Sequence, residues 1–572
     1  MPPGALATDT LLTDRRADVT VRLASASLLH WEILVCRKGA ARTRGMCFWY
    51  LKKGPEMYEE ASSSGSNAKS RVMTRITGQI EDHSMQQIGP DLRHGKPFDL
   101  FTLWFGPLIV FVTLITGAAC AAAGLSIWWI VVAIIFGDAI GVFLTAAHSA
   151  QGPTLGLPQM VQSRAQFGYL GAVLPVLMAL FNFMGFLPTN PAVAGQALNS
   201  LWGFNTIAGI VIVALLGFIL AVFGYNWVHH IAKVTSVLGL LAFLVFLGLL
   251  IFGHPAIAGS KYSNLHGGFV LGPFLEALVL TLVFAVSFAP WAADYSRYLP
   301  ASSSRLAVGW YSALGLGIPI AGLFILGAYL EAVSNYNPNI TAVMDSVAKS
   351  GGESFLTIFN LVAIGILILE TAMCAYSSAI LLEGVIASLK LKNFHNLSTT
   401  SVVMAAPSRQ RRIVYLFILS CIGIGAGIAY SENLLGFYSA FLSILVLLII
   451  PWSAVNLTDF YFVRRGRYSV TALFQPRGPY GLVNRSGFIS YFCALGIEFL
   501  FANISGVYES PVARALGGGD ISWIPGVLIA GGLYLALNWR LRAAGGSAVG
   551  TESDAHHVSH AAGQVPTSEA SA

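Results

Sequence analysis

Apolar positions in this chain gather into long runs separated by short polar stretches. A bilayer's hydrocarbon core requires about 20 apolar residues per helix, and runs of that kind occur at Phe98–Leu125, Ile127–His148, Gly168–Leu201, Asn205–Phe223, His229–Phe252 and Gly272–Ala292. They continue at Leu306–Leu330, Phe355–Ala387, Arg412–Tyr430, Asn433–Asn456, Ser486–Ile504 and Ser522–Leu537. The pattern predicts an all-α polytopic membrane protein whose spans lie within residues 97–542. Composition supports it: 55% of residues are hydrophobic and 10% charged, against about 25% charged in soluble chains.

Charge then orients the spans. With the first span running outward, Arg164, Lys233, Arg297, Arg305, Lys390, Lys392, Arg409, Arg411, Arg412, Arg464, Arg465, Arg467, Arg477, Arg485, Arg540 and Arg542 fall in inner loops. The outer loops keep Lys261, Lys349 and Arg514. The positive-inside rule therefore predicts both termini in the cytoplasm of a multi-pass plasma (inner) membrane protein. The net charge of +6 is spread between apolar runs rather than gathered in a patch, so no nucleic-acid partner is expected. The six cysteines form no CxxC pair, and neither a metal site nor a cofactor is expected.

Residues 1–96 carry no spanning run and include the polar stretches "RKGAARTRG" and "ASSSGSNAKS". They read as a disordered cytoplasmic extension, or as translation from upstream of the natural start, with Met73 and Met85 as later candidates. Residues 543–572 read as a low-complexity cytoplasmic tail, its His556, His557 and His560 in solvent. The pattern says nothing of oligomeric state.

Two spans carry interruptions at corresponding places, the mark of broken helices in inverted-repeat transporters. Span one contains "LWFGPLIVF" with Gly106 and Pro107; span six contains "VFAVSFAPWAADYSRYLP" with Pro290 close to its inner end. Spacing alone fits two proline kinks equally. If span six is broken, the break is expected nearer Ala285–Ser287.

Three strings then carry a resemblance: "GPTLGLPQMVQSRAQFGYLGA" (Gly152–Ala172), "GYNWVHH" (Gly224–His230) and "WAADYSRYLP" (Trp291–Pro300). Together they resemble the nucleobase:cation symporter-1 family, most closely its purine-cytosine permease branch. The likeness runs from about Gly89 to Arg542. It implies a leucine-transporter-like fold, a 5+5 inverted repeat plus two peripheral helices, binding a flat heterocycle between spans one, three, six and eight.

A nucleobase offers two aromatic faces and a polar edge, so its pocket needs stacking partners and a few hydrogen-bonding groups in apolar surroundings. The resemblance places the span-three aromatic at Phe183, with Gly185 allowing close approach and Asn182 or Asn190 available for hydrogen bonds. Many relatives carry Trp there, and Leu187, Pro188 and Thr189 read as an insertion that disturbs the register after Gly185. On span six Phe284 and Phe288 are one turn apart with Ser287 between them. On span one Trp104 and Phe105 flank the presumed break; Trp104 also suits an interfacial anchor.

One carboxylate stands out. In "GILILETAMCAYSSAIL" (Gly365–Leu381) Glu370 has no neighbour in sequence to pair with, and charging an acid at a helix centre costs roughly 3 kcal/mol. Such a group can take a proton from one side and release it to the other. Aligned on Tyr376, Glu370 and Thr371 occupy the turn that supplies small hydroxyls to the ion in sodium-coupled relatives. Glu370 is therefore expected to carry a coupling proton or bind the base edge, supported by Thr371; a structural acid bonded to the broken backbone of span one is the alternative. Asp138 in span two and Glu498 in span eleven compete as buried acids. Arg164, Asp294 and Arg297, at the inner loop and the inner end of span six, are expected to latch or gate, with Asp294 and Arg297 paired three apart.

The expected function is secondary active import of a nucleobase or related heterocycle by proton symport. Sodium coupling, with an allantoin- or hydantoin-like substrate, stays open, as does a non-transporting receptor. An enzyme is not expected, since His229 and His230 have no HExxH or GxSxG pattern nearby, and no Walker A string suggests an ATP-driven pump.

Overall fold

The computed structural model describes residues 87–122, 125–223, 225–252, 268–333, 340–389 and 409–543. The extension up to residue 86, the tail after residue 543 and their expectations lie outside these residues. Within them the protein is helical, apart from a short antiparallel pairing of Asn503 with Glu509 and Ile504 with Tyr508. Eight described helices are each long and apolar enough to cross a membrane, and shorter apolar helices lie at Phe111–Ala121, Val237–Phe252 and Trp523–Leu537.

The helices fall on the predicted runs. Span two is Ile127–Ser149, three Val173–Trp202, four Thr206–Phe223, five Tyr225–Phe252, seven Arg305–Val333 and eight Glu353–Leu389. Nine is Arg409–Ala429, ten Leu434–Thr458, eleven Arg485–Glu498 and twelve Trp523–Leu537. Span one is divided into Phe98–Phe105 and Phe111–Ala122; span six ends its first half at Val286, turns through Ser287 and Phe288, and resumes as Ala289–Trp291 and Ala292–Ser296. Pro290 thus opens the second half of span six rather than kinking a continuous helix.

Helices in lipid associate by close packing rather than by a hydrophobic drive, which favours small residues at crossings. Gly137 and Gly141 of span two lie so near the carbonyls of Leu278 and Leu282 in span six that any Cβ would overlap them. Gly327 of span seven meets Leu114 of span one in the same way. These contacts join spans one, two, six and seven. Span three packs along span eight on the other side and carries Pro188 and Pro191 inside an unbroken helix. The supposed insertion at Leu187–Thr189 is therefore helical: Thr189 donates its hydroxyl to Gly185 O at 3.0 Å, and Leu187 and the Pro188 carbonyl face Gly423 and Gly427 of span nine.

Residues 87–96, which the sequence assigns to the extension, are mostly exposed but bonded to the helical part: Ile88 is buried and its N–H donates to Gly156 O at 2.9 Å, Arg93 donates to Pro153 O at 2.8 Å, and His94 N–H donates to Tyr298 O at 2.7 Å.

Substituting Gly141→Leu is expected to destabilise the fold by about 1–3 kcal/mol through overpacking, whereas Gly365→Ala, with nothing within 4 Å of its added Cβ, should stay within about 0.5 kcal/mol of wild type. Thermal unfolding of the two variants in detergent checks both; equal Tm values would refute the close crossing.

Candidate functional site

The breaks in spans one and six free backbone groups that a continuous helix would bond, and in a membrane interior such groups must find partners. They find them in side chains. At the end of the first half of span six, Ser287 Oγ donates to Phe284 O at 2.7 Å, Thr145 Oγ1 of span two to Ala285 O at 2.8 Å, and Asn182 Nδ2 of span three to Ser287 O at 2.7 Å. In span one Thr113 Oγ1 donates to Leu108 O at 3.0 Å. Ser287 is therefore a cap of its own helix. Asn182 is a strut between spans three and six whose Oδ1 is buried without a hydrogen-bond partner.

Aromatic rings fill the space beside the span-six break. Phe288 lies edge-on to Trp104 (5.9 Å), Phe284 (5.7 Å) and Trp291 (5.8 Å), and Trp291 stacks on Phe183 at 4.4 Å with 20° between planes. Trp104 is 4% exposed and also meets Tyr295 at 5.2 Å, so it is not an interfacial anchor. Its Nε1 has no hydrogen-bond partner among the described residues. Phe284 is packed into the core against Phe186 and Phe324. Phe105 stacks on Phe101 at 5.4 Å instead of joining this group. Gly106 and Pro107 open the span-one break, Pro107 exposed.

Gly185 admits a side chain of the protein itself: the Phe441 ring of span ten occupies the place a Cβ would take. Asn190, buried on span three, turns its amide to Cys374 Sγ of span eight at 4.0 Å.

Glu370 is half-buried on span eight and has no hydrogen-bond or ion partner among the described residues. Its direction follows from its neighbours at 100° per residue. Ile366 meets Gly239 of span five, which itself lies 3.7 Å, from where its Cβ would be, to Ile109 O at the span-one break. Cys374 meets Asn190 of span three. Glu370 falls on the arc between these two directions, between spans five and three. Thr371 is turned away from it: its methyl packs on Gly217 of span four and its hydroxyl donates to Leu367 O at 2.7 Å, so the expected support of Glu370 by Thr371 is not found.

The competing acids lie elsewhere. Asp138 is buried against Gly317 of span seven, and Glu498 against Gly526 of span twelve. Neither reaches the aromatic group. At the arginine-rich end Asp294 accepts the Gln159 backbone N–H at 2.7 Å, tying the second half of span six to the connecting loop, and Arg297 donates to the Asp294 carbonyl oxygen of its own segment at 3.1 Å. Arg164, 5% exposed, donates to Leu473 O and lies 4.5 Å from the Tyr169 ring centre.

Residues 87–526 match the model of a family described as permeases for cytosine/purines, uracil, thiamine and allantoin. The chain belongs to this permease family. Within this family the putative purine-cytosine permease YxlA of Bacillus subtilis is 34% identical over 80% of this chain and 96% of its own. The purine-cytosine permease fcyB of Emericella nidulans is 24% identical over 77% and 84%. Among solved structures, Mhp1, a nucleobase-cation-symport-1 family transporter in a closed conformation with bromovinylhydantoin bound, superposes with a TM-score of 0.61 at 19% identity, covering 83% of this chain and 99% of Mhp1. The permease fold is thus leucine-transporter-like, and its relatives are transporters rather than enzymes.

Sequence reasoning missed Trp291, Tyr295, Phe186 and Phe441 in this permease. Trp291 and Tyr295 stand in the quoted "WAADYSRYLP" string. Helical periodicity could not bring them to Phe183 and Trp104, because the break at Ser287–Phe288 resets which way the following residues face.

Asn182→Leu is expected to leave the Ser287 carbonyl unpaired at a cost of about 1–3 kcal/mol, and to lower both Tm and substrate uptake while Asn199→Leu, at an exposed helix end, changes neither. A wild-type Tm for Asn182→Leu would remove the strut from the account of the break.

Proposed function

We propose that this permease imports a nucleobase or closely related flat heterocycle across the plasma membrane by proton symport, with its arginine-rich end and both termini in the cytoplasm. The observation that supports the reading is the unpartnered Glu370 in the apolar run of span eight, on a helix that packs along span three, whose Phe183 belongs to an aromatic group with rings from spans one and six. Phe183, Phe288, Trp291 and Trp104 supply stacking surface, and the Asn182 Oδ1 supplies an acceptor for a ring N–H or exocyclic amine. Glu370 supplies the proton carrier.

Coupling follows from the cost of burial. A carboxyl without a cation partner stays protonated in the closed site, and it ionises when its side opens to water. Binding of the base and of the proton then favour the same closed arrangement, and their free energies are linked. Phe183 and Trp291 are in van der Waals contact, and a ring inserted between two aromatic faces needs them about 7 Å apart, twice the ordinary contact distance. The stack must therefore part to admit the base between these two rings. Sodium coupling has less support, since the Thr371 hydroxyl, which that reading would use, donates to Leu367 O of its own helix while its methyl packs on span four.

Uptake of labelled cytosine into proteoliposomes with an acid exterior and no sodium tests the reading, with purines, uracil and allantoin as competitors. Accumulation should collapse with a protonophore, and Glu370→Gln should lose at least about tenfold of gradient-driven accumulation while still exchanging substrate across the membrane. Undiminished accumulation by Glu370→Gln, or uptake that needs sodium, would overturn the proton role.

A further inference from the structure

A recess lies on the arginine-rich side of the aromatic group. It is an open cleft lined by Met160, Arg164, Tyr169, Val176, Leu381 and Gly384, among others. Its position relative to the central site follows from helix geometry. Val176 and Phe183 are two turns apart on one face of span three, and Glu370, Leu381 and Gly384 share one face of span eight over three to four turns. The recess therefore continues the axis of the central site. Its far wall is the loop helix Gln159–Gln162, held to span six through the Asp294–Gln159 hydrogen bond.

The recess has one charged lining group. The Arg164 guanidinium is 5% exposed, spends one N–H on Leu473 O at 3.3 Å, and lies against the rings of Tyr169 and Phe474. Its other N–H groups have no protein acceptor among the described residues, and no carboxylate pairs with it. A buried cation with unused donors beside an otherwise apolar cleft calls for an acceptor from outside the chain. A flat heterocycle with a carbonyl or ring-nitrogen edge has the acceptor and the apolar faces that these two features call for.

We infer that this recess is a release-side subsite, where substrate leaving the central site is held by Arg164 before it enters the arginine-rich side. The inference rests on the nucleobase-transport reading above. The Phe183–Trp291 stack is then the partition between the two positions, and the substrate passes one position at a time. Arg164 sets the affinity of the release side without touching the central site.

The test uses wild-type protein, Arg164→Met and Val176→Trp in proteoliposomes, with labelled cytosine as probe. Equilibrium binding in detergent reads the central site; exchange driven by cytosine presented to the arginine-rich face reads the recess. Arg164→Met should bind cytosine within twofold of wild type and need about tenfold more cytosine for half-maximal exchange from that face, the loss of one charge-assisted hydrogen bond. Val176→Trp, which fills the recess without altering Arg164, should slow exchange by a similar factor and decides the matter if Arg164→Met does not fold. Wild-type exchange by both variants overturns the subsite. If the wild-type protein instead requires anionic lipid and Arg164→Met does not, a lipid phosphate occupies Arg164 and the inference also falls. Failure of the wild-type protein to bind or exchange any nucleobase would be a failure of the transport reading itself, seen before any variant is measured.

Discussion

Backbone groups released in a membrane interior have no water to turn to, and that constraint organises the centre of this protein. Two helices are broken near their middle, and the carbonyls freed in span six at Phe284, Ala285 and Ser287 are taken by hydroxyls and an amide from spans six, two and three. Each bond is ordinary in strength, but leaving its acceptor bare would cost several times the net gain of making it. The break is thus stable only while spans two and three stay in register with it. Residues that look like ligand contacts in isolation, Ser287 above all, are engaged in holding the helix end.

The same division separates what lines the site from what supports it. In the proposed site, spans one and six supply Trp104, Phe288 and Trp291, span three supplies Phe183, and span eight supplies Glu370; glycines bring the supporting helices close together. Gly137 and Gly141 seat span two on span six, and Gly185 seats the Phe441 ring of span ten against span three. The aromatic group joins rings on the broken spans one and six to Phe183 on the continuous span three, and the proposed alternating access would part them at the Phe183–Trp291 stack.

Below the site the structure is held by a buried polar network. Asp459 accepts hydrogen bonds from Arg464, Gln166, Tyr468 and Tyr534 at 2.7–3.1 Å, and the chain continues through Asn456, Gln151, Gln159 and His148 to Ser453. With all four acceptor positions of Asp459 used, the buried charge is both paired and hydrogen-bonded, the condition under which such a pair is tolerated. The network ties span two, the loop after it, span ten and span twelve together at the arginine-rich end, beneath the recess that Arg164 lines.

The spans were legible in the sequence because a bilayer imposes one length and one composition on every helix, and the described helices fall on the predicted runs, eight of them long and apolar enough to cross a membrane. Glu370 was legible for the same reason: a lone acid in an apolar run departs from that rule. The family could be read from three strings whose order and spacing survive. What the sequence left open depends on rotation about helix axes and on contacts between distant spans. Thr371 stands next to Glu370 in the chain, yet a 100° turn sends it to span four. Gly185 reads as room for a ligand until Phe441 arrives from span ten. Trp291 joins Phe183 only because the helix ends at Val286 and restarts in a new direction, and the Arg164 recess exists only where spans three and eight are already side by side. Composition and periodicity act along the chain and determined the elements; the site is made of relations between elements, which packing alone decides.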